Sequence, residues 1–326
     1  MNCPPHPHNI RSWLRTPDAQ SLSLDMRNVL WVATSPNLLK APLDDTEFAQ
    51  INISPEQLEA LLTPEAQLAL DNILGQTRSH FLGAYYETIW SFLLKQSTRY
   101  QLLAQNFQIH ESGTTLGEFD FLVWDKQRHI HLHQEIAIKF YLYHPDKHPA
   151  HWLGPNARDR LDLKIRKLSL QQLRLSEHPL AKTSLEQLGI KQTKSQMKLQ
   201  GTLFYPSNAA LPPDTHSLNA HHERGHWYHP SPFLTYLREA QTRYPQQRWQ
   251  ILTQKSRWLA PRLESRREKM CSYQELQDTV EQKTNEPFKP LLVVRLTEIE
   301  GVWIEQERLF VVPATWPVAA KSAPAL

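Results

Sequence analysis

The sequence predicts an α/β protein: a central mixed β-sheet flanked by helices, with a mostly helical N-terminal portion. Three observations carry this reading. From His131 to Leu142, Leu132, Ile136, Ile138 and Phe140 fall on one face, and His131, His133, Glu135, Ala137 and Lys139 on the other. Residues 119–124 alternate as well, and Asp125-Lys126-Gln127-Arg128 supplies a polar turn between the two segments, so they form an antiparallel hairpin. Ser54-Pro55-Glu56-Gln57 and Ser272-Tyr273-Gln274-Glu275 are capping-box sequences, each of which starts a helix.

In chain order, residues 54–95 are mostly helical. Within them, 81–94 is apolar on nearly all sides, with Gly83, Glu87 and Ser91 forming a small or polar stripe. The hairpin segment 119–124 sets Phe119, Phe121 and Val123 on one side and Asp120 with Glu118, Leu122 and Trp124 on the other. Gly154-Pro155-Asn156 breaks the chain before a helix over about 158–175. Short strands follow at 201–205 and 248–252, separated by a loop-rich stretch with Pro206, Pro212 and Pro213, and a helix runs from Ser272 to about Gln282. Segments 291–296, 302–304 and 309–312 close the set of strands. The organisation is therefore a helical region at 1–80, a core at 81–313 and a frayed Pro- and Ala-rich tail at 314–326.

Composition excludes several classes. With 326 residues, 40% of them hydrophobic, the chain can bury a sizeable core. Two cysteines, Cys3 and Cys271, make neither a disulfide framework nor a four-cysteine zinc site, and the expected location is the reducing cytoplasm. Neither a secretion signal nor a membrane span is legible. None of the nine glycines forms a phosphate loop or dinucleotide fingerprint, so no nucleotide cofactor is expected.

The chemistry-bearing group is Glu87, Asp120, Glu135 and Lys139. Asp120 and Glu135 are hard oxygen donors suited to Mg²⁺ or Mn²⁺, and a lysine beside them can orient a water for attack on a phosphodiester. The order helix glutamate, strand aspartate, strand glutamate, lysine resembles the PD-(D/E)xK nuclease-like superfamily. It is carried here by Gly83-Ala84-Tyr85-Tyr86-Glu87, Gly117-Glu118-Phe119-Asp120 and Glu135-Ile136-Ala137-Ile138-Lys139. Over most of its length the chain also looks like an uncharacterised bacterial domain-of-unknown-function family grouped with those nucleases. The resemblance implies a restriction-endonuclease-like core and metal-dependent nucleic-acid cleavage, with DNA favoured. In it Asp120 and Glu135 hold the metal, Glu87 supports it and Lys139 positions the water. Two positions depart from the pattern. Phe119 replaces the usual proline, and Ala137 stands where the lysine would follow Glu135 by two, leaving Lys139 one pleat repeat, about 7 Å, further on. A nucleic-acid-binding module without turnover is the alternative within this fold. A purely structural use would pair Asp120 with an arginine and Glu135 with Lys139.

A basic stripe follows the hairpin. Arg160, Lys164, Lys167, Gln171 and Arg174 share one side of the helix at 158–175, beside the packing positions Leu161, Ile165, Leu168 and Leu175. Residues 158–198 hold ten Lys and Arg against four acids, an excess able to track a phosphate backbone. A second basic run lies at 255–269, where Trp258 and Leu259 suggest that part of it packs.

Two histidine arrangements compete. His222-Glu223-Arg224-Gly225-His226 satisfies the H-E-x-x-H spacing of a zinc metallopeptidase, with Glu239 the nearest third ligand. Gly225 and the surrounding prolines argue against the helix that motif needs, so a polar loop is expected there. His131, His133 and Glu135 share a strand face that suits iron or zinc, provided other residues complete the site.

Overall fold

Caps and prolines set the helix starts in the N-terminal third of the computed structural model, which describes residues 9–77, 79, 81–146, 152–207, 217–284 and 289–317. α1 (Ile10–Trp13) precedes α2 (Leu24–Thr34), where the Met26 N–H donates to Ser23 Oγ at 3.1 Å. A two-residue strand, β1 (Glu47–Phe48), comes next. α3 (Pro55–Leu61) opens on the capping box read from the sequence, with the Gln57 N–H donating to Ser54 Oγ and the Ser54 N–H to Gln57 Oε1. α4 (Pro64–Gln76) and the apolar α5 (Leu82–Gln96) complete this region. Then follow β2 (Tyr100–Glu111), β3 (Thr114–Asp125), β4 (Ile130–Tyr143), β5 (Trp152–Leu153), α6 (Leu161–Lys167), α7 (Pro179–Gln187), β6 (Thr193–Pro206) and β7 (Glu223–Tyr228). The last elements are α8 (Pro230–Arg243), β8 (Arg248–Ile251), β9 (Leu263–Glu264), α9 (Tyr273–Thr284), β10 (Leu291–Ile299) and β11 (Val302–Val311).

One mixed sheet takes in all these strands. Its main path runs β2-β3-β4-β6-β7-β11-β10-β8. The outer pairs are antiparallel, while β4, β6, β7 and β11 run parallel side by side at the centre. β1 pairs with the first half of β6 and β7 with its second half, so the mostly helical N-terminal region also contributes a strand.

Helices cover both faces, as a parallel sheet requires. On one face α2, α4 and α5 pack Leu30, Leu70 and Ile89 into the same cluster as Ile136, Ile138, Phe140 and Phe310. The N-terminal region and the sheet therefore share one core. On the other face α6 and α7 cover β3, β4 and β6, and α8 and α9 cover β8, β10 and β11. The two faces of β4 are those its alternation predicts.

Several segments differ from the sequence reading. The strand expected at 201–205 begins eight residues earlier, at Thr193, because Lys194, Gln196, Lys198 and Gln200 break the apolar pattern although three of them are buried. Residues 223–228, expected in a loop, form β7. The strands read at 302–304 and 309–312 are one, β11. The helix read at 158–175 is divided: α6 ends at Lys167, a π turn follows over Leu168–Gln172, and a 3-10 turn over Leu175–Glu177. The side assignment in β3 changes at Asp120, since Phe121 and Val123 enter the α5-side core while Phe119 packs with Leu122 and Leu175. In the tail, Thr315–Trp316 lies in a turn, and 318–326, like Pro212 and Pro213, lies outside the described residues.

Gly201 is opposite Lys139 in the β4–β6 ladder, at φ +144°, and a Cβ there would lie 1.6 Å from the Lys139 carbonyl oxygen. That contact is backbone and cannot swing away. Gly201→Ala is expected to cost about 3 kcal/mol or more, read as a lowered urea midpoint; an unchanged midpoint would show that the strands separate there at little cost.

Candidate functional site

β3 and β4 pair only from Phe121↔Gln134 to Asp125↔Ile130. Beyond that rung the ladder opens, and the Ile136 N–H donates instead to Asp120 Oδ2 at 2.9 Å. Asp120 thus stands at the fork between the strands, with its carboxylate replacing a main-chain acceptor.

Across the fork, Glu135 is 1% exposed and hydrogen-bonded at both oxygens. With the carboxylate as acceptor, His133 Nε2 donates to Oε1 at 2.9 Å, and Gln172 Nε2 donates to Oε2 at 2.6 Å. His133 is fully buried against the Phe119 ring at 4.6 Å. Gln172 in turn accepts from Lys164 Nζ at 3.0 Å through Oε1, which links α6 to the strand carboxylate.

The acids are close enough to disturb one another. Burial, then the charge of Glu135 and further that of Glu87, raises the Asp120 carboxyl to about 8 from its ordinary 3.8, against the opposing Ile136 hydrogen bond. Glu87 is itself raised, first by burial and then by Glu118, with Asn106 donating a hydrogen bond that opposes the shift. Asn106 adopts a left-handed conformation (φ 52°) between the residues that pair with Phe119 and Phe121, and so faces Asp120 across the strands. Lys164 is the nearby cation: burial and Lys139 lower its pKa, while Glu135 and Asp120 pull it up.

The structure thus places Glu87, Asp120 and Glu135 near one another, with Lys164 as the nearby cation and Lys139 held elsewhere. Lys139 Nζ is bonded to Asp159 Oδ2 at 2.5 Å, turned toward the loop before α6. Ala137, between Glu135 and Lys139 on the same face, shares an apolar cluster with Leu161, Ile165 and Leu168. Neither structural pairing considered from the sequence occurs: Asp120 accepts a main-chain N–H, and Lys139 binds Asp159 and not Glu135.

The basic stripe is also redistributed. Arg160 folds onto Asp162 with two hydrogen bonds of 3.1 and 2.6 Å. Lys164 turns into the cluster, and Lys167, Gln171 and Arg174 are exposed. The π turn explains why Gln172, and not the stripe residue Gln171, reaches the cluster. Its Leu173 N–H donates five residues back to the Leu168 carbonyl, one residue more than an α-helix allows, so the next residue takes the inward position. Sequence periodicity counted at 3.6 per turn therefore missed Gln172. Asn106 gave no periodic signal because its left-handed backbone departs from strand geometry.

The histidine alternatives do not assemble. The H-E-x-x-H segment leads into strand β7, and its side chains separate: His222 meets Tyr205 Oη at 2.9 Å, Glu223 pairs with Arg11 and Arg15, and His226 meets Glu307 at 3.2 Å. Gly225 is accounted for by packing, because a Cβ would lie 2.5 Å from the Phe204 ring. His131 lies against Trp124, the rings tilted at 51° with centroids 4.6 Å apart. Among the described residues no three of His, Cys, Asp and Glu form a group able to hold a metal by themselves. No helix there is long and apolar enough to cross a membrane.

Fold and site define a mixed α/β protein with a semi-buried carboxylate cluster at an opened strand pair, with Lys164 from a neighbouring helix as its nearby cation. Residues 27–312 match the family described as Domain of unknown function (DUF1853), and the chain belongs to that family. No curated protein and no solved structure matches the chain.

The raised Asp120 carboxyl has a stability consequence. The folded protein keeps a proton there that the unfolded chain has already lost, so stability falls as pH rises from about 4 to about 8. Asp120→Asn retains an acceptor for the Ile136 N–H without the ionisation. In a divalent-free buffer near pH 8.5 it is expected to raise the melting temperature by about 2–6 °C, with a smaller gain near pH 5; equal gains at both pH values would show that Asp120 titrates normally.

Proposed function

We propose that this protein hydrolyses phosphodiester bonds in nucleic acid, with DNA favoured, in the manner of the PD-(D/E)xK nucleases and with Mg²⁺ or Mn²⁺. The observation that carries the reading is the meeting of Glu87, Asp120 and Glu135 at the β3–β4 fork with Lys164 beside them. The donor set fits such an ion. Its ligands are hard oxygens, and Asp120, its pKa raised first by burial and then by the charges of Glu135 and Glu87, is a carboxyl whose ionised form a divalent cation would favour. Asp120 and Glu135 are the residues that would hold the ion, with water and phosphate oxygens completing its shell, as is usual for Mg²⁺. Bound there, it would supply charge neutralisation at the phosphate and a more acidic water.

The chain's own groups supply the rest. Gln172 and His133 hold the two Glu135 oxygens in place, and Glu87 adds negative charge from α5. Lys164, half-shielded and within reach of the cluster, orients the water in the role the motif assigns to Lys139. Arg160 and Lys167 on the outer side of α6 contact the phosphate backbone. A non-catalytic binding module is the second reading, favoured by one observation: both Glu135 oxygens already have protein donors.

Incubation of the purified protein with single- and double-stranded DNA and RNA, with Mg²⁺, Mn²⁺ or EDTA, tests this. The expected result is metal-dependent cleavage reduced about 10²–10⁴-fold by Asp120→Ala or Glu135→Ala and about 10²-fold by Lys164→Met, with Lys139→Met within about fivefold of wild type. Binding without metal-dependent cleavage in the wild type would leave the binding module. A large loss with Lys139→Met alone would return the lysine role to the strand.

A further inference from the structure

At the sheet edge where β8 and β11 end and β10 begins, away from the carboxylate cluster, lies an open cleft of about 1090 Å³. Arg158, Lys255, Lys283 and Lys289 line it, and all four are exposed. Among the described residues no aspartate or glutamate lines it. Four like charges around one cleft repel one another, and that arrangement is relieved by an extended anion more than by a single phosphate.

The cleft also has rigid aromatic walls. Trp258 is half-buried, donates its indole N–H to the Leu252 carbonyl at 3.0 Å and meets Phe140 and Phe310 edge-on at 5.3 and 5.5 Å. Trp316 is buried, packed on Trp227 at 4.9 Å, and its indole N–H has no acceptor among the described residues. An indole held by other rings, as Trp258 is, loses little freedom when a base stacks on it. Cations beside fixed aromatic faces are the combination that single-stranded nucleic acids require, because each nucleotide offers a phosphate and a π-face. The volume, at the upper end of ordinary small-molecule sites, accommodates more than one nucleotide unit.

We infer that this cleft binds single-stranded nucleic acid, with Trp258 receiving a base and Arg158, Lys255, Lys283 and Lys289 receiving phosphates. The inference goes beyond the proposed hydrolysis and requires only binding. Fluorescence anisotropy with a labelled oligothymidylate in EDTA tests it without any contribution from cleavage. Lys255→Glu with Lys289→Glu is expected to weaken binding at least about tenfold, and the neutral pair Lys255→Gln with Lys289→Gln to lower the salt slope by about 1.4. The equal charge change Arg238→Glu with Arg243→Glu, on α8, is expected to stay within about threefold of wild type. Base recognition is read by competition, in which unlabelled oligothymidylate should displace the probe at least about tenfold better than inorganic polyphosphate of equal charge. Similar losses from both charge-reversal pairs, or equal competition by polyphosphate, would overturn the inference. Loss of cleavage in the earlier assay with this binding intact would refute only the hydrolytic reading.

Discussion

A single buried carboxylate constrains the architecture around the β3–β4 fork. Glu135 lies in the middle of a central strand at 1% exposure, where an unsatisfied ionised group would cost several kcal/mol. Each oxygen therefore needs a donor. His133 provides one from the same strand face, which explains a histidine with no solvent exposure in the sheet. Gln172 provides the other, and it reaches Glu135 from the π turn after α6. Helical periodicity is thus broken at a point where an uninterrupted helix would present Gln171.

The opposite face of the same strands solves a related problem mostly with neutral amides and aromatic donors. Tyr86 Oη donates to Gln200 Oε1 at 2.6 Å, Trp90 Nε1 to Gln134 Oε1 at 3.0 Å, and Gln134 Nε2 to Gln196 Oε1 at 2.9 Å. Gln196 then donates to Glu47 on β1 at 3.0 Å. Lys198 lies over the Trp90 ring at 5.1 Å, and burial lowers its pKa to about 7. Such a network is satisfied only if α5, β1, β4 and β6 sit in one relative register. An apolar layer tolerates sliding; a chain of hydrogen-bonded amides does not. Arg308 fixes the far side similarly, holding Glu305 with two hydrogen bonds of 2.7 and 2.8 Å while donating to carbonyls of the segment 258–260.

What the sequence made legible follows from this division. Where burial is apolar, as on the α5 side of β4, alternation exposed both the strand and its faces; where helix starts use local hydrogen bonds, as at Ser54 and Ser272, capping residues marked them. The three carboxylates were legible because their residue types and order are unusual beside a core. The amide-rich half of β6 was hidden because its inward positions are polar, and β7 because Glu223, Arg224 and His226 look like loop residues. The placement of Lys139 against Asp159 was hidden for a geometric reason. Lys139 shares a strand face with Glu135, but face sharing does not reveal that Ala137 between them clusters with α6, nor that Asp159 lies within reach.

The move from Lys139 to Lys164 also changes how charge is balanced under the proposed reading. A strand lysine would be covalently close to Glu135, whereas Lys164 depends on α6 keeping its place through Leu161, Ile165 and Leu168. The acids at the fork outnumber this cation, and a proton on Asp120 makes up part of the difference. A proton and a divalent ion are then alternatives for the same negative charge. Under that reading, lowering pH would fill the cluster with protons and weaken its hold on a cation, and raising pH through about 8 would free Asp120 for one. The features that make Asp120 costly to ionise in the folded protein are those that make it a ligand once a counter-charge arrives, so the instability of the cluster and its proposed chemistry have one origin.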